Sequence, residues 1–494
     1  MKIMKLTTVL KTTILAIAII FSFQSVSFAT YHYTITTTSS VTNKTYENFE
    51  EIYTTGAPGG GGVFDITNKG RLEIKSSIFN SNSVSGEGAS GRHGGAIYNA
   101  GELKIYSSAF SSNTAQNNGG AIYLKSGTTT ITSSSFKENT VPSSGGAIYN
   151  NGGLLTISSS TFSENTAKSG GAIYNYKKST TTINSSAFNK NSGGAAISNE
   201  EDGILTISSS TFSENTNSYS GGAIGNSGIL KIYSSVFSTN TAQDDNGGAL
   251  CNERTYGKIV TISSSIFSGN TAKFGGAIYN DSNKIVISIS SSIFSENTAK
   301  SGGAIYNSYS SNVTINSSVF NKNLATNLLG GAIYNYGGIV TISSSVFSAN
   351  TVQDDNGGAI DDKGGAIYNG CATGNIGILT IYSSAFSGNT AKFGGAIYNN
   401  GGLLTISDNT SFFDNMATSK GGAIYNNGGT IDLIANAGNI EFTGNIANGI
   451  SNAIYDNSGT INLWASENAN IIFNDRITSE NKSSILNINS STSR

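Results

Sequence analysis

Two tetrapeptides alternate in constant phase along most of the chain, and this repeat constrains the fold more than any other feature. Gly-Gly-Ala followed by Ile or Leu recurs thirteen times, and Phe-x-x-Asn recurs fourteen times in the same phase. From Gly94 to Gly394 the repeat takes 11 steps in 300 residues, about 27 residues each. Self-similarity at roughly 20–50 residues is typical of solenoids, propellers and arrays.

The content of one repeat distinguishes among these architectures. Leu155, Ile157 and Ser159 alternate with polar residues, which is the period of a half-buried β-strand. The repeat lacks the roughly 3.6-residue period of a helix, and a propeller blade needs about 40–45 residues. A coil of this size holds three short strands, each pairing in parallel with its equivalent roughly 4.8 Å along the axis. The repeat therefore predicts an all-β, right-handed, single-stranded parallel β-helix of about 15 rungs.

The composition agrees with a solenoid and limits its partners. Gly accounts for 60 of the 494 residues and Pro for only 2. Turns need Gly, whereas Pro has no N–H to give to a ladder and is excluded from central strands. The net charge of −2 offers no basic face for phosphates, so we expect no nucleic-acid partner.

The Phe and Asn of the second tetrapeptide barely vary between repeats, whereas the residue two after the Phe varies freely. That residue is Glu164 in one repeat, Lys190 in the next and Ala349 further on. Because free variation marks a solvated position, we expect the Phe and Asn side chains to point inward. Phe rings at rung spacing lie in the range of favourable aromatic pairs, and stacked Asn amides bond along the axis. This structural ladder includes Phe162, Asn165, Phe212, Asn215, Phe294 and Asn297.

A row of tyrosines occupies another repeat position, and its members are Tyr98, Tyr123, Tyr149, Tyr174, Tyr279, Tyr306, Tyr334, Tyr368, Tyr398, Tyr425 and Tyr455. The row is interrupted at Ser198, Gly225, Cys251 and Asp361. Tolerance of small and charged residues predicts an outward position. One interpretation is a surface stripe for a partner or glycan, formed by Tyr149, Tyr174, Tyr279, Tyr306, Tyr334, Tyr368, Tyr398 and Tyr425. The other is an aromatic ladder that stabilises the sheet by stacking on itself.

The interleaved motifs resemble those of the polymorphic outer-membrane proteins, autotransporters best known from chlamydiae. The resemblance covers roughly residues 60–475, and segments 459–463 and 471–477 resemble the closing rung of such passengers. It implies a surface-displayed β-helix passenger that mediates adhesion, with a host-cell receptor, surface receptor or glycan as its partner. Such passengers precede a membrane barrel of roughly ten-residue alternating strands. Only 17 residues follow residue 477, so we expect a truncated autotransporter or a rod released by another route.

Residues 1–29 have the pattern of a secretory signal peptide. Three lysines precede an apolar run at residues 14–23, and Ser27 and Ala29 are the small residues before a cleavage site. The run is shorter than the roughly 20 residues of a spanning helix. We expect export to the cell surface, the outer membrane or the medium, with no transmembrane helix in the mature chain.

The remaining boundaries follow from where the repeat is present. Residues 30–57 lack it and are predicted to cap the first rung, 58–477 form the repeat domain, and 478–494 form a polar tail. Gly-Gly-Ala-Ile at Gly357 is followed at once by a second copy at Gly364, which predicts a loop bulging from that rung.

The two cysteines, Cys251 and Cys371, fall four or five coils apart, roughly 19–24 Å along the axis. A disulfide needs Cα atoms within about 7 Å. The spacing therefore predicts two thiols and no disulfide.

Paired carboxylates offer the best case for catalysis or metal binding. Asp244 and Asp245, and again Asp354 and Asp355, are typical of glycan-cleaving β-helices, but the accompanying Asn-Thr-Asp, Gly-His-Gly and Arg-x-Lys motifs are missing. Asp362, beside Asp361, adds carboxylates for calcium, which wants roughly six to eight oxygens. Turns favour Asp and Asn for ordinary reasons. We expect no catalytic residue, metal or cofactor.

Two alternatives to the adhesin stay open: a purely structural envelope rod and a polysaccharide-cleaving enzyme.

Overall fold

The computed structural model of the chain describes residues 32–48, 50–53, 61–86, 92–253, 258–281, 285–308, 310–353 and 362–490. These residues form a β-solenoid of about 16 turns, built from stacked parallel strands and containing no helix in the described ranges. The prediction of an all-β parallel β-helix is confirmed. The predicted signal peptide, residues 1–29, lies outside the described residues.

The Tyr sheet contains 17 strands and carries the Ile-Tyr-Asn segment of each repeat. Its strands are Tyr33–Ile35, Phe64–Ile66, Ile97–Asn99, Ile122–Leu124, Ile148–Asn150, Ile173–Asn175, Ile197–Asn199, Ile224–Asn226, Leu250–Glu253, Ile278–Asp281, Ile305–Ser308, Ile333–Tyr336, Ile367–Gly370, Ile397–Asn400, Ile424–Asn427, Ile454–Asn457 and Ile477–Ser479.

The Ile sheet also contains 17 strands and carries the alternating apolar segment that follows. Its strands are Thr38–Thr42, Arg71–Lys75, Glu102–Tyr106, Thr128–Thr132, Leu154–Ser158, Thr180–Asn184, Ile204–Ser208, Ile229–Tyr233, Ile259–Ser263, Val286–Ser290, Asn312–Asn316, Ile339–Ser343, Ile378–Tyr382, Leu403–Ser407, Thr430–Ala435, Thr460–Ala465 and Ile485–Ser490.

The Phe sheet contains 16 strands and carries the Phe of each Phe-x-x-Asn. Its strands are Thr45–Glu47, Ile78–Asn80, Ala109–Ser111, Ser135–Lys137, Thr161–Ser163, Ala187–Asn189, Thr211–Ser213, Val236–Ser238, Ile266–Ser268, Ile293–Ser295, Val319–Asn321, Val346–Ser348, Ala385–Ser387, Thr410–Phe413, Ile440–Thr443 and Ile471–Phe473.

Shorter strands line the return segment before each Gly-Gly-Ala and form sheets of two to seven strands. They are Glu50–Tyr53, Ser83–Gly86, Thr114–Ala115, Thr166–Ala167, Ser192–Gly193, Thr216–Asn217, Thr241–Ala242, Thr298–Ser301, Leu324–Leu329, Thr351–Val352, Thr390–Phe393, Met416–Lys420, Ile446–Ala447 and Ile450–Ser451. This side is less regular because the return segments differ in length between repeats.

Alternation along each strand decides which side chains enter the core. In the strand Leu154–Ser158, Leu155 and Ile157 are fully buried and Leu154 is exposed. Inward columns from the three long sheets form one hydrophobic core that runs from Val63 to Ala469. Each buried aliphatic or aromatic side chain contributes roughly 1.5–3 kcal/mol.

Left-handed residues turn the chain at the corners between the sheets. Ser159 and Glu164, with φ of 49° and 58°, flank the Phe-sheet strand of their rung. Gly145, at φ 71°, lies in the corner before the Tyr-sheet strand Ile148–Asn150, and an added Cβ there would overlap the carbonyl oxygen of Ile148. A glycine is therefore required at this corner, whereas the other two corners accept L-residues at a cost of about 1–2 kcal/mol each.

Stacked strands also occur in both segments that we predicted to flank the repeats. The strand Tyr33–Ile35 pairs in parallel with Phe64–Ile66, so residues 33–48 and 50–53 form a coil of the stack. At the other end Ile485–Ser490 pairs in parallel with Thr460–Ala465. The solenoid therefore extends through residue 490, and the tail from residue 478 contains strand.

The duplicated Gly-Gly-Ala-Ile contributes one copy to the stack. Tyr334 pairs directly with Tyr368, which belongs to the second copy at Gly364. The first copy, at Gly357, and the predicted loop lie outside the described residues. The register passes straight from Tyr334 to Tyr368, and Asp361, which we assigned to the row as an interruption, lies outside the described residues. Neither cysteine forms a disulfide, as predicted.

Candidate functional site

The Phe and Asn of the second tetrapeptide both lie in the core. Fifteen Phe rings from Phe79 to Phe473 stack with centroids 4.5–4.9 Å apart and planes within 10°. This stack includes Phe162, Phe212 and Phe294, and their partners Asn165, Asn215 and Asn297 are likewise fully buried.

The Asn side chains form a continuous hydrogen-bonded ladder along the axis. Asn165 Nδ2 donates to Asn191 Oδ1 at 3.0 Å and to the carbonyl oxygen of Phe136 at 3.0 Å. The backbone N of Asn165 donates to the same Asn191 Oδ1 at 3.1 Å. This pattern repeats from Asn82 to Asn445, so every amide is satisfied inside an apolar core.

Two further polar ladders were missed by our reading of the repeat. In the Tyr sheet, amides after the tyrosine bond in series from Asn150 to Asn252 and from Asn280 to Asp456, at 2.6–3.1 Å. At the Ile–Phe corner, each buried serine hydroxyl accepts a hydrogen bond from the backbone N of the serine one rung earlier, as Ser160 Oγ does from Ser134 N at 3.1 Å. The signal was available, since an Asn follows nearly every Tyr of the row and Ser-Ser precedes nearly every Phe by two residues.

The tyrosine row points away from the hydrophobic core but is mostly covered. Tyr149, Tyr279, Tyr334, Tyr368, Tyr398 and Tyr425 are buried, and Tyr174 and Tyr306 are half-buried. Neighbouring rings stack with centroids 4.7–5.6 Å apart. Most rings of the row are therefore covered by stacking and by the adjoining return segments. Whether the row binds a partner stays a prediction.

The residues around the tyrosine row explain why its rings are buried, and this burial raises the pKa values of tyrosine hydroxyls in the row. Leu329, Tyr336 and Phe393 pack against the rings from Tyr306 onward. Lys420 Nζ lies 4.5 Å from the ring centroid of Tyr455. Burial raises the pKa of Tyr98 to about 12 and also raises the pKa values of Tyr123, Tyr368 and Tyr425. These four hydroxyls therefore stay protonated at any physiological pH.

The carboxylates considered for catalysis or calcium do not form a cluster in the described part of the chain. Asp245 Oδ2 accepts a hydrogen bond from Ser220 Oγ at 3.0 Å, and its neighbour Asp244 is exposed. Asp354, Asp355 and Asp361 lie outside the described residues. Within the described ranges no three His, Cys, Asp or Glu side chains lie close enough together to hold a metal ion.

His93, in the first rungs of the repeat, packs against an aromatic ring. The His93 ring stacks on Tyr123 with centroids 4.3 Å apart. Burial lowers its pKa to about 4, so the imidazole is neutral at physiological pH. In the part of the chain that the structure describes, there is no long apolar helix of the kind that could cross a bilayer.

Comparison with known proteins identifies the repeat. The Chlamydia polymorphic membrane protein repeat matches at seven places, residues 107–125, 133–151, 159–176, 264–281, 291–308, 383–400 and 404–427. Each matched segment begins at a Ser-Ser corner or in an Ile-sheet strand and ends at the Tyr sheet. No curated protein matches the chain. The resemblance inferred from the two tetrapeptides is confirmed: this chain carries the repeats of the polymorphic membrane proteins.

Proposed function

We propose that this chain is a surface-exposed passenger that acts as an adhesin, binding a receptor or glycan on a host cell or surface through the outer face of the solenoid. The seven repeat matches carry this proposal, because the repeat is that of a family of membrane proteins. That family is not a known family of enzymes, and the described carboxylates Asp244 and Asp245 do not belong to a cluster of three or more His, Cys, Asp or Glu side chains that could hold a metal ion.

An aliphatic face on the outside of the Phe sheet supports a binding role. It consists of Ile266, Ile293 and Val346, each 37–41% exposed, with Val319 in register between the last two. The Ile sheet carries a separate outward set, Ile259, Val286 and Ile339, which is interrupted by Asn312. Extended apolar surface on a soluble protein is typical of interaction sites.

Protease shaving of intact producing cells tests the location. We expect cell-associated chain to be lost and fragments of the rod to be released into the medium. Protection of the full chain until the envelope is broken would place it inside, and the adhesin proposal would then give way to a structural envelope rod.

Binding of the purified chain to host cells tests the aliphatic face. We expect Ile266→Glu, Ile293→Glu and Val346→Glu together to reduce binding at least tenfold, because the charges prevent burial of this face. The matched control places Glu at the same strand position in rungs where the native residue is polar: Ser135→Glu, Thr161→Glu and Thr211→Glu. Equal loss in both triple variants would show that charge alone, and not the aliphatic face, decides binding.

A further inference from the structure

The tyrosine row is interrupted at three consecutive rungs. Tyr174 is in register with Ser198, Ser198 with Gly225, Gly225 with Cys251, and Cys251 with Tyr279. Elsewhere in the row each rung fills this position with one stacked ring. We call the positions of Ser198, Gly225 and Cys251 the notch, because three rings are missing there.

A cavity of about 460 Å³ lies over the notch and is lined by all three of its residues. This volume is within the range of roughly 300–1,000 Å³ found for small-molecule sites. Apart from one tyrosine, its walls consist of short polar side chains, glycine and alanine, and three charged groups. The lining therefore suits a ligand that is rich in hydroxyl groups better than an apolar one.

The backbone does not require a small residue at the centre of the notch. Gly225 has no left-handed φ, and an added Cβ would meet only the Ala195 Cβ, at the ordinary distance of 3.7 Å. The backbone at this position therefore accepts a side chain, and the missing ring is not a consequence of the backbone conformation of Gly225.

An aromatic ring has instead been placed on the rim of the cavity. Tyr219, 63% exposed, lies in the return segment beside the notch. Its turn is held by Asn217, whose Oδ1 accepts from the backbone N of Tyr219 at 2.9 Å and whose Nδ2 donates to the carbonyl oxygen of Ser220. Most other rungs bury Ala or Val at the position of Asn217. The rung therefore departs twice from the repeat, and both departures shape the same cavity.

The charged groups of the cavity are two carboxylates and one amine. Burial and the nearby Glu200 carboxylate together raise the pKa of the Tyr174 hydroxyl, at the end of the interrupted row. Asp245 Oδ2 accepts a hydrogen bond from Ser220 Oγ, and Lys168 also lines the cavity. The side chains sum to a net negative charge, which disfavours an anionic ligand.

We propose that the notch is a binding subsite for a neutral pyranose of a glycan. The exposed ring of Tyr219 offers a face for the C–H side of a sugar, and the carboxylates of Glu200 and Asp245 accept hydrogen bonds from its hydroxyls. The inference rests on the proposed function, since it names a ligand class and a place for partner binding on the outer face.

Filling the notch with tyrosines tests the inference. The triple variant Ser198→Tyr, Gly225→Tyr and Cys251→Tyr completes the row with the residue that the other rungs use. We expect its melting temperature to be unchanged or raised. Lactose, chitobiose and mannotriose, titrated by calorimetry, would bind the native chain and bind the filled variant at least tenfold more weakly. Sialyllactose would bind the native chain more weakly than lactose.

Single variants locate the site more closely. We expect Tyr219→Ala to weaken sugar binding about tenfold, whereas Tyr382→Ala, an exposed tyrosine on the Ile sheet, leaves it unchanged. Neutral sugars that bind the filled variant as tightly as the native chain would overturn the subsite while leaving cell binding intact. Loss of cell binding on filling, with no sugar bound by the native chain, would overturn the glycan assignment in favour of a peptide. A native chain that binds neither cells nor sugars would overturn the proposed function together with the subsite.

Discussion

Asn445 donates two hydrogen bonds to a single oxygen of Asp475: its backbone N lies 2.9 Å and its Nδ2 2.8 Å from Asp475 Oδ2. This carboxylate ends the ladder that amides form from Asn82 onward. An acid is suitable at the end because the last member needs only to accept. The other oxygen, Asp475 Oδ1, accepts from Ser451 Oγ at 3.0 Å.

Inside the ladder each member must also donate, and this requirement predicts an asymmetry between positions. Asn215 Nδ2 donates to Asn240 Oδ1 and to the carbonyl oxygen of Phe188, each at 2.9 Å. We expect Asn215→Asp to lower the free energy of unfolding by at least about 3 kcal/mol, because a buried carboxylate would face two acceptors. Asp475→Asn keeps an acceptor at the ladder end and should cost less than about 1 kcal/mol. Urea denaturation measures both, and equal losses would contradict this account of the ladder.

The Phe stack predicts a large penalty for truncating one ring. Phe212 is fully buried between Phe188 and Phe237, with centroids 4.7 Å from each. We expect Phe212→Ala to lower the free energy of unfolding by about 3–5 kcal/mol, since it opens a cavity in a close-packed core. The control is Phe413→Ala, whose ring is 40% exposed and which should cost less than about 1 kcal/mol. Similar denaturation midpoints for the two variants would contradict the stack.

The tyrosine row predicts a loss of stability that is separate from binding. Tyr334, Tyr368 and Tyr398 are buried and stack on one another at 5.1 and 5.6 Å. Replacing all three with Ser should lower the melting temperature, because aromatic pairs contribute about 0.5–1.5 kcal/mol each beyond their buried area. Host-cell binding below the melting transition should persist. A variant that keeps its stability but loses binding would instead support the stripe interpretation.

Asp65 predicts a pH dependence at the first rungs. Burial raises the pKa of this carboxyl from its usual 3.8 to about 6. The folded chain therefore holds the proton more tightly than the unfolded chain, and stability is lost as the pH rises through about 6. We expect Asp65→Asn to raise the melting temperature at pH 7.5, with the difference vanishing below about pH 4. A constant difference across this range would show that the effect of the substitution does not come from ionisation.

The sequence by itself determined the rung. A period of about 27 residues with one alternating apolar segment permits only a coil of short parallel strands. Invariance of Phe and Asn against a freely varying neighbour was enough to orient the Phe-sheet strand, because strand side chains alternate between the two faces. The two tetrapeptides were likewise enough to identify the repeat family.

Only the tertiary structure decided how far the outward side chains are exposed. Tyr149 occupies an outward position in its strand, yet it is buried because rings one rung away stack on both of its faces. Tyr219 has no equivalent in the repeat, and its exposure beside the notch depends on a return segment of irregular length. Local sequence specifies the direction of a side chain within its own strand. Burial depends on which rungs become neighbours along the axis, and this is settled only when the coils stack in register.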